Sequence, residues 1–422
     1  MKKVVTMILA AIAVLLLALS VCATETNDAA QAGEELLNTL LKRQFDAFCT
    51  GDAIETDDIF ADTESTEMYK EYLRWHLGKI KGTGQYWNKY EYVAAYTETI
   101  GDTFVYSGNM DYWRGSSAYP AREGIVRYEI SLTNVDGTYL ISAITTDTFN
   151  FTTFEEQYAA VALERSENAS MTDEDVTGTL LERTINAYVS LNSITSPVKD
   201  IVDMDANYEA YLAGINAAED NAVSTNATSY SYNGERGRNY AETYYSTANS
   251  CFKEYTNADC TNFVSQCIWA AYGGWTSSDS TATMTTNIAN GKRMQSSSSS
   301  SNWYGKKTGC GNPWAGVANL WSFVTTTQTT GPQGTGYERG KSSNYYPSSI
   351  LTGQVLQFRN GSSGSYAHSV YVSGGVNDSF ANIKVAQHSS NKILYLDDLI
   401  TSFGGTNCYM RQIKFTSAKF DS

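Results

Sequence analysis

The run Asp259-Cys260-Thr261-Asn262-Phe263-Val264-Ser265-Gln266-Cys267 places a thiol at the start of a helix-compatible segment. Far downstream, Ala367-His368-Ser369-Val370-Tyr371-Val372 places an imidazole at the start of a strand-compatible one. A thiol attacks as its thiolate, an anion that a helix N-terminus stabilises. An imidazole is the side chain suited to hold the thiol proton near neutral pH. The chain has three histidines, His76, His368 and His388, so the choice of base is nearly forced. His76 lies between Trp75 and Leu77 on an apolar helical face and reads as a packed structural histidine.

The elements that must position these groups are legible around them. Asp259 is suited to cap the helix that Cys260 begins. Phe263, Val264, Cys267, Ile268 and Ala271 wrap most of that helix, so it is central to its domain, and Gly273-Gly274 supplies a stop. Cys267 reads as a small buried hydrophobe. A carboxylate beside the thiol raises its pKa unless it turns toward backbone amides, and the Cys260 N–H then offers one oxyanion donor. His368, Val370 and Val372 share one face of the second segment. A hairpin turning at 376–379 has its midpoint near 378 and sets His388 opposite His368, where it can orient the imidazole through the other ring nitrogen. Asn391, just past the strand end, is the alternative orienter. The candidate catalytic set is Cys260, His368 and His388.

The bulk composition narrows the function classes. The 422 residues suffice for roughly two or three domains. A net charge of −15 argues against nucleic acid and against an anionic membrane surface as partners. Lys2 and Lys3 followed by the apolar stretch 7–19 and by Val21-Cys22-Ala23 read as a signal peptide over 1–23, so the protein is expected to be exported, secreted or cell-surface associated. Lipid attachment at Cys22 is the second reading of that segment. No later stretch is apolar enough to span a membrane. The remaining cysteines, Cys49, Cys251, Cys260, Cys267, Cys310 and Cys408, form an even set compatible with a disulfide framework, whereas a nucleophilic Cys260 must stay free. Neither Cys-x-x-Cys nor His-Glu-x-x-His occurs, so no metal site and no cofactor is expected.

The chain reads as α+β. Residues 30–150 form a small module of helices at 34–48 and 67–80 followed by strands at 90–97, 103–110, 124–132 and 138–144, with turns at Gly101-Asp102 and Asp136-Gly137. It carries no recognisable acid/base pair. Residues 151–230 form a helical connector, with helical runs at 154–167, 176–191 and 208–220, and a Ser/Thr/Asn-rich linker from Asn221. Residues 232–422 form the chemical domain, with helices at 238–248 and 314–324, a loop by composition at 295–301, and strands at 355–358, 368–373, 383–388 and 410–415.

The motif Asp259 to Gln266 resembles the signature of the bacterial Putative amidase domain family. Tyr240-Ala241, the segment Asn312-Pro313-Trp314 through Leu320-Trp321-Ser322-Phe323, Leu351 to Phe358, His368-Ser369-Val370 and Gln387-His388-Ser389 are similar to its remaining parts. The resemblance covers about 232–401 and leaves the N-terminal residues outside it. It implies a papain-like or CHAP-like cysteine amidohydrolase, with the Cys260 helix packed on an antiparallel sheet, Cys260 as nucleophile, His368 as base and His388 as third member. It implies peptide-like amide substrates, with cell-wall stem peptides first. Gly353-Gln354 departs from the Gly-Asp usual in that family. An acyl transferase on the same thioester, and a binding module with an idle cysteine-histidine pair, are the rival readings.

Overall fold

The computed structural model describes residues 28–114, 120–166, 172–192, 229–256, 258–375 and 377–421. The leader expected over 1–23 with Cys22, the helical run expected over 208–220 and most of the linker from Asn221 lie outside the described residues. The described chain combines helices with a large antiparallel sheet, an α+β architecture, and divides into two compact units.

The first unit comprises residues up to Lys81, Tyr90–Met110 and Ile125–Leu180. The N-terminal elements run α1 (28–50), α2 (Glu64–Thr83), β1 (Trp87–Ile100), β2 (Thr103–Arg114), β3 (Ala121–Val135), β4 (Thr138–Thr146), α3 (Phe149–Ser166) and α4 (Asp173–Asn192). Leu37, Leu40, Leu41 and Phe45 form the buried stripe of α1 that their spacing predicts. The β3–β4 hairpin reverses at Asp136 and Gly137, both at positive φ (53° and 87°), with the Gly137 N–H donating to Asn134 Oδ1 at 2.9 Å. His76 is buried, 3.1 Å from the Tyr72 hydroxyl and packed on the Phe48 ring. Its surroundings are those of a core residue.

The second unit comprises Gly82–Lys89, Asp111–Gly124 and the chain from Leu181 onward. Its elements continue as β5 (Ser229–Tyr230), α5 (Gly234–Tyr244), α6 (Cys260–Ala271), α7 (Thr281–Ala289), β6 (Gly305–Lys306), β7 (Gly309–Cys310), α8 (Asn312–Ala315) and α9 (Val317–Val324). The sheet strands follow as β8 (Gln333–Lys341), β9 (Val355–Asn360), β10 (His368–Gly375), β11 (Ile383–Gln387) and β12 (Lys392–Tyr395), then α10 (Leu396–Ser402), β13 (Cys408–Thr416) and β14 (Ala418–Lys419). In space the strands lie in the order β12-β11-β10-β9-β13-β8, antiparallel throughout.

Every residue of α6 is buried. It carries no charged side chain, so it can be enclosed by α5 and β10 without stranding an ion. It ends where the glycine pair predicts. The N–H groups of Gly273 and Gly274 donate back to the Ala270 and Trp269 carbonyls, with Gly273 at φ 90°.

Two local readings differ from the sequence expectation, and two further elements carry no clear signal in the sequence. The helix expected at 238–248 begins instead at Gly234, because the Asn233 side chain accepts from the Arg236 N–H at 3.0 Å and sets the start. The helix expected over 314–324 is two, separated at Gly316, whose backbone is extended (φ −98°, ψ 126°). Ser280 caps α7 within a Ser/Thr-rich stretch that looks irregular by composition. Strand β8 is an edge strand rich in glycine and charge, without the apolar alternation that marks β10.

Helix α5 crosses close over α6 and β10 at Gly237. A Cβ there would lie 1.9 Å from Tyr371 Oη and 2.9 Å from the Cys267 carbonyl oxygen. We expect Gly237→Ala to destabilise the second unit by about 2 kcal/mol or more through overpacking. Urea unfolding followed by tryptophan fluorescence is the check, since every tryptophan except Trp75 belongs to this unit. An unchanged midpoint would show that α5 can shift freely.

Candidate active site

Cys260 is the first residue of α6 and is 7% exposed. Burial alone pushes its thiol pKa up. A hydrogen bond and charge interaction with His368, the Ser369 backbone N–H and the Thr261 hydroxyl act in the opposite direction, and the balance leaves the thiol below its ordinary value. The pair expected from sequence, Cys260 and His368, is therefore brought together.

His368 opens β10 and is half-buried, stacked on Phe403 with ring centroids 5.5 Å apart. Its Nε2 lies 2.5 Å from Gln387 Oε1. An amide oxygen only accepts, so Nε2 carries the proton and Nδ1 is the nitrogen left to face the thiol. Gln387 is held in turn, its Nε2 donating to Ser390 Oγ at 2.5 Å. The group orienting the imidazole is Gln387, a residue the sequence reading quoted but did not assign.

His388, expected opposite His368, is placed elsewhere. Its Nδ1 is 2.7 Å from Asp259 Oδ2, its Nε2 is 2.8 Å from the Tyr244 carbonyl oxygen, and its ring stacks on Phe263 at 4.0 Å. It makes no hydrogen bond with His368. The physical reason is strand register. Tyr371 pairs with Ala386 and Val372 with Val385, whereas beyond a bulge Gly374 pairs with Lys384. The bulge absorbs one residue, and a one-residue slip exchanges the faces. Continuing the register sets Gln387 across from Val370, on the His368 face, and His388 across from Ser369, on the other. Glycines inside a strand pattern signal such bulges, and Gly374-Gly375 was the available clue. Asn391, the alternative orienter, sits in a left-handed turn conformation (φ 54°) and makes no hydrogen bond with His368.

Asp259 also departs from its expected role. It has helical dihedrals and its side chain does not cap α6. Oδ1 accepts from the Tyr255 N–H (3.0 Å) and from Asn262 Nδ2 (2.7 Å), while Oδ2 is hydrogen-bonded to His388 Nδ1 (2.7 Å). The first backbone N–H groups of α6, Cys260 among them, are consequently left without a capping side chain, as an oxyanion site requires.

The rest of the motif fixes neighbours in place. Asn262 Nδ2 also donates to the Lys253 carbonyl, and Asn262 Oδ1 accepts from Trp314 Nε1 at 2.7 Å. The Ser265 hydroxyl donates to the Trp314 carbonyl, and Tyr240 donates to Gln266 Oε1, both at 2.7 Å. Gln354, where a carboxylate was expected, is buried, accepting from the Leu351 N–H and from Gln412 Nε2. All six described cysteines are free thiols. Among the described residues no group of three His, Cys, Asp or Glu side chains is placed to hold a metal ion.

Residues 231–411 match the family described as Putative amidase domain. No curated protein and no solved structure matches the chain. The match places hydrolase chemistry of the amidase type in the C-terminal part, the part that carries Cys260 and His368. Among the described residues, no helix is long and apolar enough to cross a membrane.

Two predictions test this geometry. In the amidase domain the pH midpoint for alkylation of Cys260 should lie below that of an ordinary thiol. In His368→Ala it should move upward, because the groups that lower the pKa are reduced while burial still raises it. Iodoacetamide rates against pH, read by peptide mass spectrometry, give both midpoints, and an unmoved midpoint would discard the Cys260–His368 interaction. His388→Ala should cost about 2 kcal/mol of stability, because it removes the buried hydrogen bond to Asp259 Oδ2 and the ring stacked on Phe263. Gln387→Ala should cost less and act on the His368 ring. Paired urea titrations of the two variants separate these effects.

Proposed function

We propose that the second unit is a cysteine-dependent amidohydrolase that cleaves peptide-like amide bonds through a thioester, with the stem peptides of bacterial peptidoglycan as its first substrate class. The observation that carries this reading is the Cys260 thiol, held below its ordinary pKa beside His368. The orientation of His368 by Gln387 supports it. In this mechanism the Cys260 thiolate attacks the amide carbonyl carbon. The oxyanion is received by backbone N–H groups at the start of α6, including that of Cys260. The His368 imidazolium gives its proton to the leaving amine as the C–N bond breaks. Water then attacks the thioester with His368 as base, which releases the carboxylic acid and regenerates the thiol. No cofactor takes part in these steps. His388 holds Asp259 and takes no proton from substrate.

The substrate class follows from kinship of this arrangement with papain-like hydrolases, and from the leader expected over 1–23, which would deliver the enzyme to the cell wall. The test is digestion of purified peptidoglycan by the mature chain and by its Cys260→Ala variant, with products read by mass spectrometry. New amine ends should appear with the native thiol and vanish with alanine. Equal products from both proteins would remove Cys260 from the chemistry. No products from a chain whose thiol remains reactive would discard this substrate. Added glycinamide separates hydrolysis from acyl transfer, since a transferase would incorporate it.

A further inference from the structure

A polar row crosses the sheet of the second unit from the thiol toward the edge strand. Ser369, whose backbone N–H faces the Cys260 sulfur, pairs with Gln357 on β9. Gln357 pairs with Arg411 on β13, and Arg411 pairs with Glu338 on β8. Side-chain bonds run along it: Gln357 Nε2 donates to Ser369 Oγ at 3.1 Å, and Arg411 Nε donates to Gln357 Oε1 at 2.7 Å. Strands lie about 4.8 Å apart, so the Arg411 backbone is roughly 10 Å from that of Ser369.

Arg411 is 7% exposed and held between two aromatic faces, with its guanidinium 4.3 Å from the Trp321 ring centre and 4.1 Å from that of Tyr366. Its Nη2 is buried without a hydrogen-bond partner. Among the described residues it forms no ion pair. The acid directly opposite, Glu338, accepts instead from the Tyr366 hydroxyl at 3.1 Å and lies 3.9 Å from Arg359. Burial brings the guanidinium pKa down to about 10, which still leaves it charged at neutral pH. A buried cationic donor lacking an acceptor is costly, and structures keep one where something else supplies the acceptor. The local field agrees. Strands β8, β9 and β13 carry Arg339, Lys341, Arg359, Arg411 and Lys414 against Glu338, in a chain whose net charge is −15.

We propose that Arg411 is a specificity residue of the second unit, receiving a substrate carboxylate about three residues along an extended peptide from the amide that Cys260 attacks. The substrate class is thereby narrowed to acidic peptides, either through a free C-terminal carboxylate or through an acidic side chain at that distance. The proposal rests on Cys260 being the nucleophile.

Matched alkylating peptides test it: bromoacetyl-glycyl-glycine and its C-terminal amide, with iodoacetamide as the reference for thiol reactivity, all read on the Cys260 peptide of the full chain. The acid should react about tenfold faster than the amide, the ratio expected of one charge-assisted hydrogen bond. Arg411→Met should bring the ratio to about one while the iodoacetamide rate is retained, and Arg411→Lys should fall between. Glu338→Gln, at an exposed position, should raise the ratio by removing the nearest competing acid, and it decides the matter if Arg411→Met does not fold. Equal rates for acid and amide in the native chain, a preference that survives in Arg411→Met, or a ratio unmoved by Glu338→Gln would overturn the carboxylate site and leave the nucleophile standing. A Cys260 inert to iodoacetamide would overturn both.

Discussion

The second unit depends on one constraint: helix α6 is enclosed on every side, yet four of its first seven residues carry uncharged polar side chains. A buried polar group without a partner costs about 1–3 kcal/mol, so each must bond to whatever encloses it. Thr261 reaches Ser369 on β10, Asn262 reaches Trp314 and the Lys253 carbonyl, Ser265 reaches the Trp314 carbonyl, and Gln266 reaches Tyr240 on α5. The motif therefore fixes the helix, the first sheet contact and the tryptophan segment relative to the thiol. Its apparent specificity as a signature comes largely from this wiring around Cys260.

The same enclosure sets the electrostatics. A buried thiol resists ionisation, and the Cys260 pKa falls below the ordinary value because several donors converge on the sulfur from β10 and from its own helix. His368 contributes most among them, and its position is secured by Phe403 on one ring face and by Gln387 at Nε2. Rigid elements hold these groups, since His368 begins a central strand and Cys260 begins a central helix. Little reorganisation is then needed when charge develops.

How much of this was legible in the sequence follows from the range of each signal. The central helix could be read from Phe263, Val264, Cys267 and Ile268, and its end from Gly273, because both are local effects of side-chain spacing and backbone freedom. The β10 segment could be read from its alternation. The partner of His368 could not, because register is a non-local property. One extra residue accommodated between Val372 and Gly374 decides whether Gln387 or His388 faces the imidazole, and symmetric counting from the turn chose the wrong one. Strand β8 was illegible for a related reason. Its Gly334, Gly336 and Gly340 carry no side chains to report a face, and its strand character comes from β13 beside it.

The misplaced histidine resolves a difficulty that the sequence poses. A carboxylate next to a nucleophilic thiol opposes the thiolate, and Asp259 is its immediate neighbour. The structure gives that carboxylate three partners of its own, the Tyr255 N–H, the Asn262 amide and the His388 ring. The orienter of His368 is neutral. A carboxylate in place of Gln387 would stabilise the imidazolium, but it would also bring a second negative charge toward the sulfur. An amide orients the ring through the same Nε2–H without that charge. The two histidines thus divide the work. His388 holds the Asp259 carboxylate, and His368 bonds the thiol.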